Sequence, residues 1–199
     1  MDGLSVWDEM RLSQAGAYVF SSSPEVKPLI SYILEKKQVT FSGLSHDLFY
    51  FGDKGLNWHL DQLHQLGAID IDFQKDRTII ANPKAVKFEG KNYGMLSIVA
   101  DFIERELEQF ESGPEGRLNR ARNAAECLYR NLNALLAVRS QENVMPYTEF
   151  LEVNKYMSNM DRLLLKHYGL LGFGRDAAGT ATVYLDKNIA DALDALQSV

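Results

Sequence analysis

A change in hydrophobic periodicity that occurs twice along the chain is the feature that most constrains its fold. Apolar residues at helical spacing run up to Gly67 and again to Gly169. Glycine is common just past the end of a helix. Residues 68–73 then alternate strictly between apolar and polar, and 170–173 and 180–185 have strand-like composition. The sequence therefore predicts two places where a helix leads directly into a β-hairpin.

The residues around each predicted hairpin complete a recognisable order of elements. Ser23 and Pro24 have the form of a helix start, whereas residues 1–22 show no assignable pattern. A short strand, two further helices capped by Ser42 and Asp53, and the hairpin follow up to residue 81. Helix, strand, helix, turn, helix and hairpin is the order of a winged helix, a helix-turn-helix closed by a β-wing.

Residues 144–185 repeat this order, and the segment 165–171 aligns with 63–69. The predicted fold class is mainly α with small β-hairpins (α+β), in which two winged-helix units are joined by a helical connector. The predicted domains are an N-terminal extension plus first winged helix at 1–95, the connector at 96–143, and the second winged helix at 144–199.

The connector contains a heptad-like run of apolar residues. A helix predicted over 117–139 carries Leu118, Leu128 and Leu132 at spacings typical of coiled-coil seams. Such a helix either faces the core of its own domain or packs on a partner subunit, and the pattern leaves both readings open. These three leucines are candidate partner-interface residues.

Charge and cysteine content narrow the class of protein. The formal net charge is −6, and each of the three predicted segments has two more acidic than basic residues. Such a balance argues against a protein whose whole surface grips nucleic acid. The single cysteine, Cys127, suits a reducing compartment. With no signal peptide or long apolar run, the sequence predicts a cytoplasmic protein without a membrane segment and implies no cofactor.

DNA contact is predicted, if anywhere, on the third helix of each unit, because that helix enters the major groove in a winged helix bound to DNA. The first unit offers Lys54 and Asn57, surrounded by acidic residues. The second unit offers a more basic set. Its candidate DNA contacts are Arg162, Lys166, His167 and Arg175.

Catalysis and metal binding have little support. The four histidines lack the spacing of a metal site, and the glycines end helices or form turns. We assign no catalytic residue and no metal ligand. A remote alternative, a metal-dependent nuclease, would use a set of acidic residues and a lysine, namely Asp70, Asp72, Glu89 and Lys91.

Two winged-helix units joined by helices in an acidic chain resemble the kleisin-interacting tandem winged-helix (KITE-type) subunits of SMC complexes. They also resemble the small middle subunits of related ABC-ATPase defence systems. The resemblance rests on the element order at 24–81 and 144–185. It implies a non-catalytic accessory subunit that forms a homodimer or hetero-complex, docks on a larger coiled-coil ATPase, and touches DNA weakly.

Trp58 falls on the predicted outward face of the third helix. If it is exposed there, it is a candidate interface anchor, and if it is buried, it belongs to the core and the predicted phase of the helix is wrong. The competing prediction for the whole chain is a winged-helix transcription regulator, supported by the same element order and by Arg162, Lys166 and Arg175.

Overall fold

A computed structural model describes residues 5–74, 76–82, 84–88 and 91–197. The chain is mostly helical with small antiparallel sheets, which confirms the mainly-α prediction. Contacts divide it into two units, residues 1–116 and 117–199. The predicted connector at 96–143 is thus shared between the units.

The first unit contains a three-stranded sheet and a separate two-stranded hairpin, and helices precede and follow them along the chain. The sheet has the order β1-β3-β2, with both pairs antiparallel. Strands β4 and β5 form a second hairpin that the sequence did not indicate. The elements in chain order are α1 (Val6–Lys36), β1 (Gln38–Thr40), α2 (Phe41–Asp47), a 3-10 turn (Phe49–Phe51), α3 (Gly52–Gln65), β2 (Ile69–Asp72), β3 (Thr78–Ala81), β4 (Ala85–Phe88), β5 (Lys91–Gly94) and α4 (Met95–Glu111).

Helix α1 begins far upstream of the predicted start at Ser23. The side chain of Ser5 caps it by accepting a hydrogen bond from the amide of Asp8 at 3.2 Å. Pro24 lies inside the helix rather than at its first position. The buried face runs without interruption from Ala15 to Ile33 and packs against α4. Burial of this continuous face outweighs the local preference of a Ser-Ser-Ser-Pro segment for a helix start.

The second unit repeats the sheet of the first. Its strand order is β6-β8-β7, again antiparallel throughout. The side chain of Ser158 caps α8 by accepting a hydrogen bond from the amide of Asp161 at 3.0 Å. The elements are α5 (Gly113–Arg130), which starts in the first unit, then α6 (Leu132–Ser140), β6 (Val144–Pro146), α7 (Tyr147–Val153), α8 (Asn159–His167), β7 (Gly172–Arg175), β8 (Ala181–Tyr184) and α9 (Lys187–Gln197).

The two predicted helix ends have the same backbone geometry. Gly67 and Gly169 have φ of 71° and 67°, the left-handed region that glycine adopts without steric cost. Their amides donate to the carbonyls of His64 and Lys166 at 2.8 and 3.0 Å. Strand β2 begins two residues after Gly67, and strand β7 begins three residues after Gly169. The repeat predicted from residues 63–69 and 165–171 is therefore present in the structure.

The predicted helix over 117–139 is two helices. It breaks at Asn131, whose backbone amide and side-chain amide both donate to the carbonyl of Cys127, at 3.1 and 3.0 Å. Asparagine side chains compete with the helical ladder in this way. None of the helices in the described part of the chain is long and apolar enough to cross a membrane.

Candidate functional site

A groove of about 610 Å³ lies between α1 and α3. The α1 residues that line it recur every three or four positions, so they form one helical face. The α3 side comes from the outward face on which the sequence places Trp58. The full lining is Met10, Gln14, Ala17, Tyr18, Ser21, Trp58, Gln62, Gln65 and Leu66. We refer to these residues as the α1–α3 groove.

Three aromatic rings fix the geometry at the α3 side of this groove. The hydroxyl of Tyr18 is hydrogen-bonded to Nδ1 of His59 at 3.0 Å, and both residues are buried. The Trp58 ring packs edge-on against His59 with centroids 4.7 Å apart, and lies 6.1 Å from the Tyr18 ring. Trp58 nevertheless remains 49% exposed. The indole of Trp58 therefore packs against the rings of His59 and Tyr18, and about half of its surface is accessible to solvent.

The groove is electrically neutral at physiological pH. Burial lowers the pKa of His59 to about 4, so its imidazole is uncharged near pH 7. Burial also raises the pKa of the Tyr18 hydroxyl above its ordinary range. The nine lining residues include no lysine, arginine, aspartate or glutamate. The groove therefore offers aromatic, apolar, amide and hydroxyl groups, and no cation for a phosphate.

The predicted DNA contacts on α3 lie beside this groove. Lys54 is exposed, as expected. The Asn57 side chain, however, accepts a hydrogen bond from the Arg77 guanidinium at 2.6 Å. That guanidinium also stacks 3.9 Å from the centre of the Phe41 ring. The Asn57 side chain is therefore already hydrogen-bonded within the protein. A hydrogen bond from Asn57 to a DNA base would require this contact to break.

The predicted outward position of Arg162 is wrong. The sequence placed it on the outward face of the second unit's third helix, but it is buried, with 7% of its surface exposed. Its guanidinium donates to the carbonyl of Met157 at 3.2 Å and to the side chain of Asn159. The short helix α8 turns this position toward the protein. Arg162 thus stabilises the start of α8 and does not lie on a surface that DNA can reach.

The other basic candidates of the second unit have different surroundings. Lys166 is half-buried, and burial lowers the pKa of its ammonium. The His167 ring packs against Tyr168 with centroids 4.9 Å apart. Arg175 is exposed at the end of β7 and donates to the carbonyl of Gly179 across the hairpin turn at 2.6 Å. Of the four candidates in the second unit, Arg175 is the one in the exposed class.

The partner-interface candidates on α5 and α6 differ in exposure. Leu118 is 70% exposed, whereas Leu128 and Leu132 are half-buried. Of the three leucines, Leu118 near the start of α5 is therefore the most accessible to a partner.

The residues proposed for a nuclease are divided between two sheets. Asp70 and Asp72 are both exposed on β2, while Lys91 begins β5 in the other sheet. Asp72 accepts a hydrogen bond from the amide of Gln74 at 3.0 Å. Glu89 lies outside the described residues. Across the described ranges, no three His, Cys, Asp or Glu side chains are grouped so as to hold a metal ion.

The sequence offered Trp58 as either an interface anchor or a core residue, and it did not indicate the groove around this side chain. The wall formed by α1 belongs to the stretch left unassigned at residues 1–22. A signal was present, since Met10, Gln14, Ala17, Tyr18 and Ser21 follow helical spacing. The mixture of polar and apolar residues on that face concealed it.

Comparison of the chain with models of known protein families gave no match, and comparison with curated proteins gave none either.

Proposed function

We propose that this chain is a non-catalytic tandem winged-helix subunit that mediates protein assembly, within an SMC-like or ABC-ATPase complex for DNA maintenance or defence. The shared element order and the matching sheet orders β1-β3-β2 and β6-β8-β7 support two winged-helix units. The acidic charge argues against a surface that grips nucleic acid as a whole. The resemblance to KITE-type subunits supports an accessory rather than an enzymatic role.

The observation that carries the proposal is the α1–α3 groove. In a DNA-binding winged helix, the third helix inserts into the major groove with its outer face open. Here the first half of α1 runs beside that face, and the accessible centre is a half-exposed tryptophan in a neutral groove. Tryptophan is enriched at binding hot spots, where it fills a pocket of the partner. This surface favours a protein segment that carries apolar and amide groups.

The alternative of a winged-helix DNA-binding regulator is favoured by one observation, the exposed Arg175 at the hairpin turn of the second unit. A single wing arginine supplies a phosphate contact, but affinity for a duplex grows with the number of phosphates neutralised. Measuring how the affinity for duplex DNA depends on salt concentration distinguishes the two hypotheses. Under the regulator hypothesis, Arg175→Glu reduces the salt slope by about 1. An unchanged slope removes Arg175 from DNA binding.

Affinity purification of the tagged full chain from the organism that encodes it tests the proposed function. We expect a large coiled-coil ATPase to be recovered with the wild type and lost with Trp58→Ala. Phe73→Ala is the matched control, because Phe73 is a similarly exposed aromatic residue in the same unit. Recovery of the chain with no partner but itself would contradict the proposal.

A further inference from the structure

The α1–α3 groove contains three glutamine side chains that are not used by the protein itself. Gln14 comes from α1, and Gln62 and Gln65 come from α3. Each is exposed or half-buried, and within the described part of the chain none of the three side-chain amides forms a hydrogen bond. The indole N–H of Trp58 has no acceptor among the described residues either. Since each glutamine amide carries two N–H donors, the groove offers several donors beside an aromatic ring.

These donors lie in a row along α3. Trp58, Gln62 and Gln65 follow spacings of four and three, so their side chains share one face of the helix. At 1.5 Å per residue, this row is about 10 Å long. One turn of a polyproline II helix has three residues and is about 9 Å long. The row therefore matches one turn of an extended peptide in length.

A helical partner would leave the amides of this row without main-chain partners. Inside a helix, the main-chain carbonyls already accept hydrogen bonds from the helix's own amides. A helix lying in the groove would thus cover Gln62 and Gln65 without offering them main-chain acceptors, and leaving buried donors unpaired costs free energy. An extended segment has main-chain carbonyls that are free to accept from these side chains.

The walls of the groove distinguish between the two extended conformations. A β-strand ligand binds by pairing with the edge of a sheet, but none of the nine lining residues belongs to a strand. The amide hydrogens of a β-strand would therefore face helices whose main-chain groups are already bonded. Proline has no main-chain N–H, and the polyproline II conformation leaves the carbonyls exposed. Aromatic-lined grooves are suited to proline-rich segments of this kind.

We propose that the α1–α3 groove binds an uncharged, proline-rich segment of a partner protein in the polyproline II conformation. A proline ring packs on the exposed part of the Trp58 indole, and the amides of Gln62 and Gln65 donate to main-chain carbonyls of the segment. The segment is uncharged because the lining carries no charged side chain to pair with. This inference rests on the proposed assembly function and names the partner segment of the same site.

Synthetic peptides titrated against the full chain test the inference. The probes are fluorescein-labelled nine-residue peptides with two prolines three residues apart and varied uncharged residues elsewhere. Each has a counterpart in which alanine, the strongest helix former, replaces both prolines. We expect fluorescence anisotropy to show that the tightest proline peptide binds at least ten times more tightly than its alanine counterpart.

The fluorescence of Trp58 shows whether the peptide occupies the groove. Trp7→Phe leaves Trp58 as the only tryptophan, and Trp7 does not line the groove. The unlabelled proline peptide should shift the emission of this variant to shorter wavelength, because a proline ring on the indole displaces water from it. An unchanged emission spectrum at saturating peptide would place the bound peptide elsewhere and overturn the inference.

The Gln62→Leu, Gln65→Leu double variant separates an extended ligand from a helical one. It keeps side chains of similar size but removes both amides, so binding of the proline peptide should weaken at least tenfold. The matched control is Gln38→Leu, Gln74→Leu, because both are exposed glutamines of the same unit outside the groove. Circular dichroism verifies that both double variants keep the wild-type helix content.

Three further results would overturn the inference. They are no binding of any proline peptide, equal binding of the proline and alanine peptides, and unchanged binding to the Gln62→Leu, Gln65→Leu variant. None of them contradicts the proposed function, because a partner ATPase that is lost with Trp58→Ala would still identify the groove as its binding site. Recovery of no partner from the organism, together with a proline peptide that binds as expected, would contradict the ATPase assignment and leave the inference standing.

Discussion

Replacing His59 by glutamine is expected to remove a large pH-dependent part of the first unit's stability. Burial lowers the pKa of His59 from its ordinary value of 6.5 to about 4. Between these values the unfolded chain binds a proton that the folded chain does not. Stability from the neutral imidazole is therefore complete above about pH 6.5 and is lost progressively as the pH falls toward 4.

The magnitude follows from the two pKa values. A tenfold difference in proton affinity between the folded and unfolded chain is worth about 1.4 kcal/mol, so the difference at His59 amounts to about 3 kcal/mol. The imidazole is buried, which limits screening by solvent. Glutamine does not titrate and keeps both a donor and an acceptor for the Tyr18 hydroxyl. The variant should therefore lose this part of the pH dependence while keeping the hydrogen-bond partner.

Urea denaturation followed by tryptophan fluorescence measures the effect at a series of pH values. Both tryptophans, Trp7 and Trp58, belong to the first unit, so the signal reports on that unit. Carboxylates also titrate in this range, so the relevant quantity is the difference between wild type and His59→Gln. His46→Gln, at an exposed histidine, controls for loss of an imidazole. Equal pH dependence of wild type and His59→Gln would refute the reasoning.

Four further changes test the packing and the helix ends, each measured as a change in the free energy of unfolding. Phe150→Ala should cost about 3–5 kcal/mol in the second unit, because the ring is completely buried, and a loss below 1 kcal/mol would contradict its place in the core. Ser158→Ala should cost about 1 kcal/mol through loss of the α8 cap, and Ser158→Thr, which keeps a hydroxyl, should cost less. Gly169→Ala should cost about 1 kcal/mol from backbone strain alone, since a methyl group there meets no atom within 4 Å, and no loss would contradict the left-handed geometry. Glu25→Gln should stabilise the first unit more at pH 8 than at pH 4, because burial raises the pKa of this carboxyl and ionising it opposes folding. A variant that is less stable than the wild type at pH 8 would contradict this.

The order of elements around each three-stranded sheet was predictable because it follows from local sequence signals. The apolar period changes after Gly67 and Gly169, and both glycines have the positive φ that the sequence implies. The alternation at residues 69–72 becomes β2, with Ile69 buried and both aspartates exposed. Such signals depend only on residues that are close in the sequence, so they can be recognised without knowledge of the tertiary structure.

Features decided by distant contacts were not predictable in the same way. The Ser23–Pro24 segment favours a helix start locally, but packing of α1 against α4 carries the helix through it. Arg162 looked like a surface cation, and only the fold shows that its guanidinium is used by Met157 and Asn159. A charged side chain is buried when hydrogen bonds compensate its desolvation, and those partners cannot be read from helical spacing.

The same long-range effect argues for a protein partner at the first unit. The sequence left Trp58 open between an outward position and the core, and the structure shows it 49% exposed. By itself an exposed tryptophan is compatible with many roles. The extension of α1 beside α3 changes its setting, because Tyr18 and His59 fix the indole from below and the lining residues carry no charge. A nucleic acid gains affinity mainly from its phosphates, which find no cation in this groove. A helix or loop of a protein gains affinity by burying apolar surface around a rigid aromatic anchor, and that is the chemistry this groove provides.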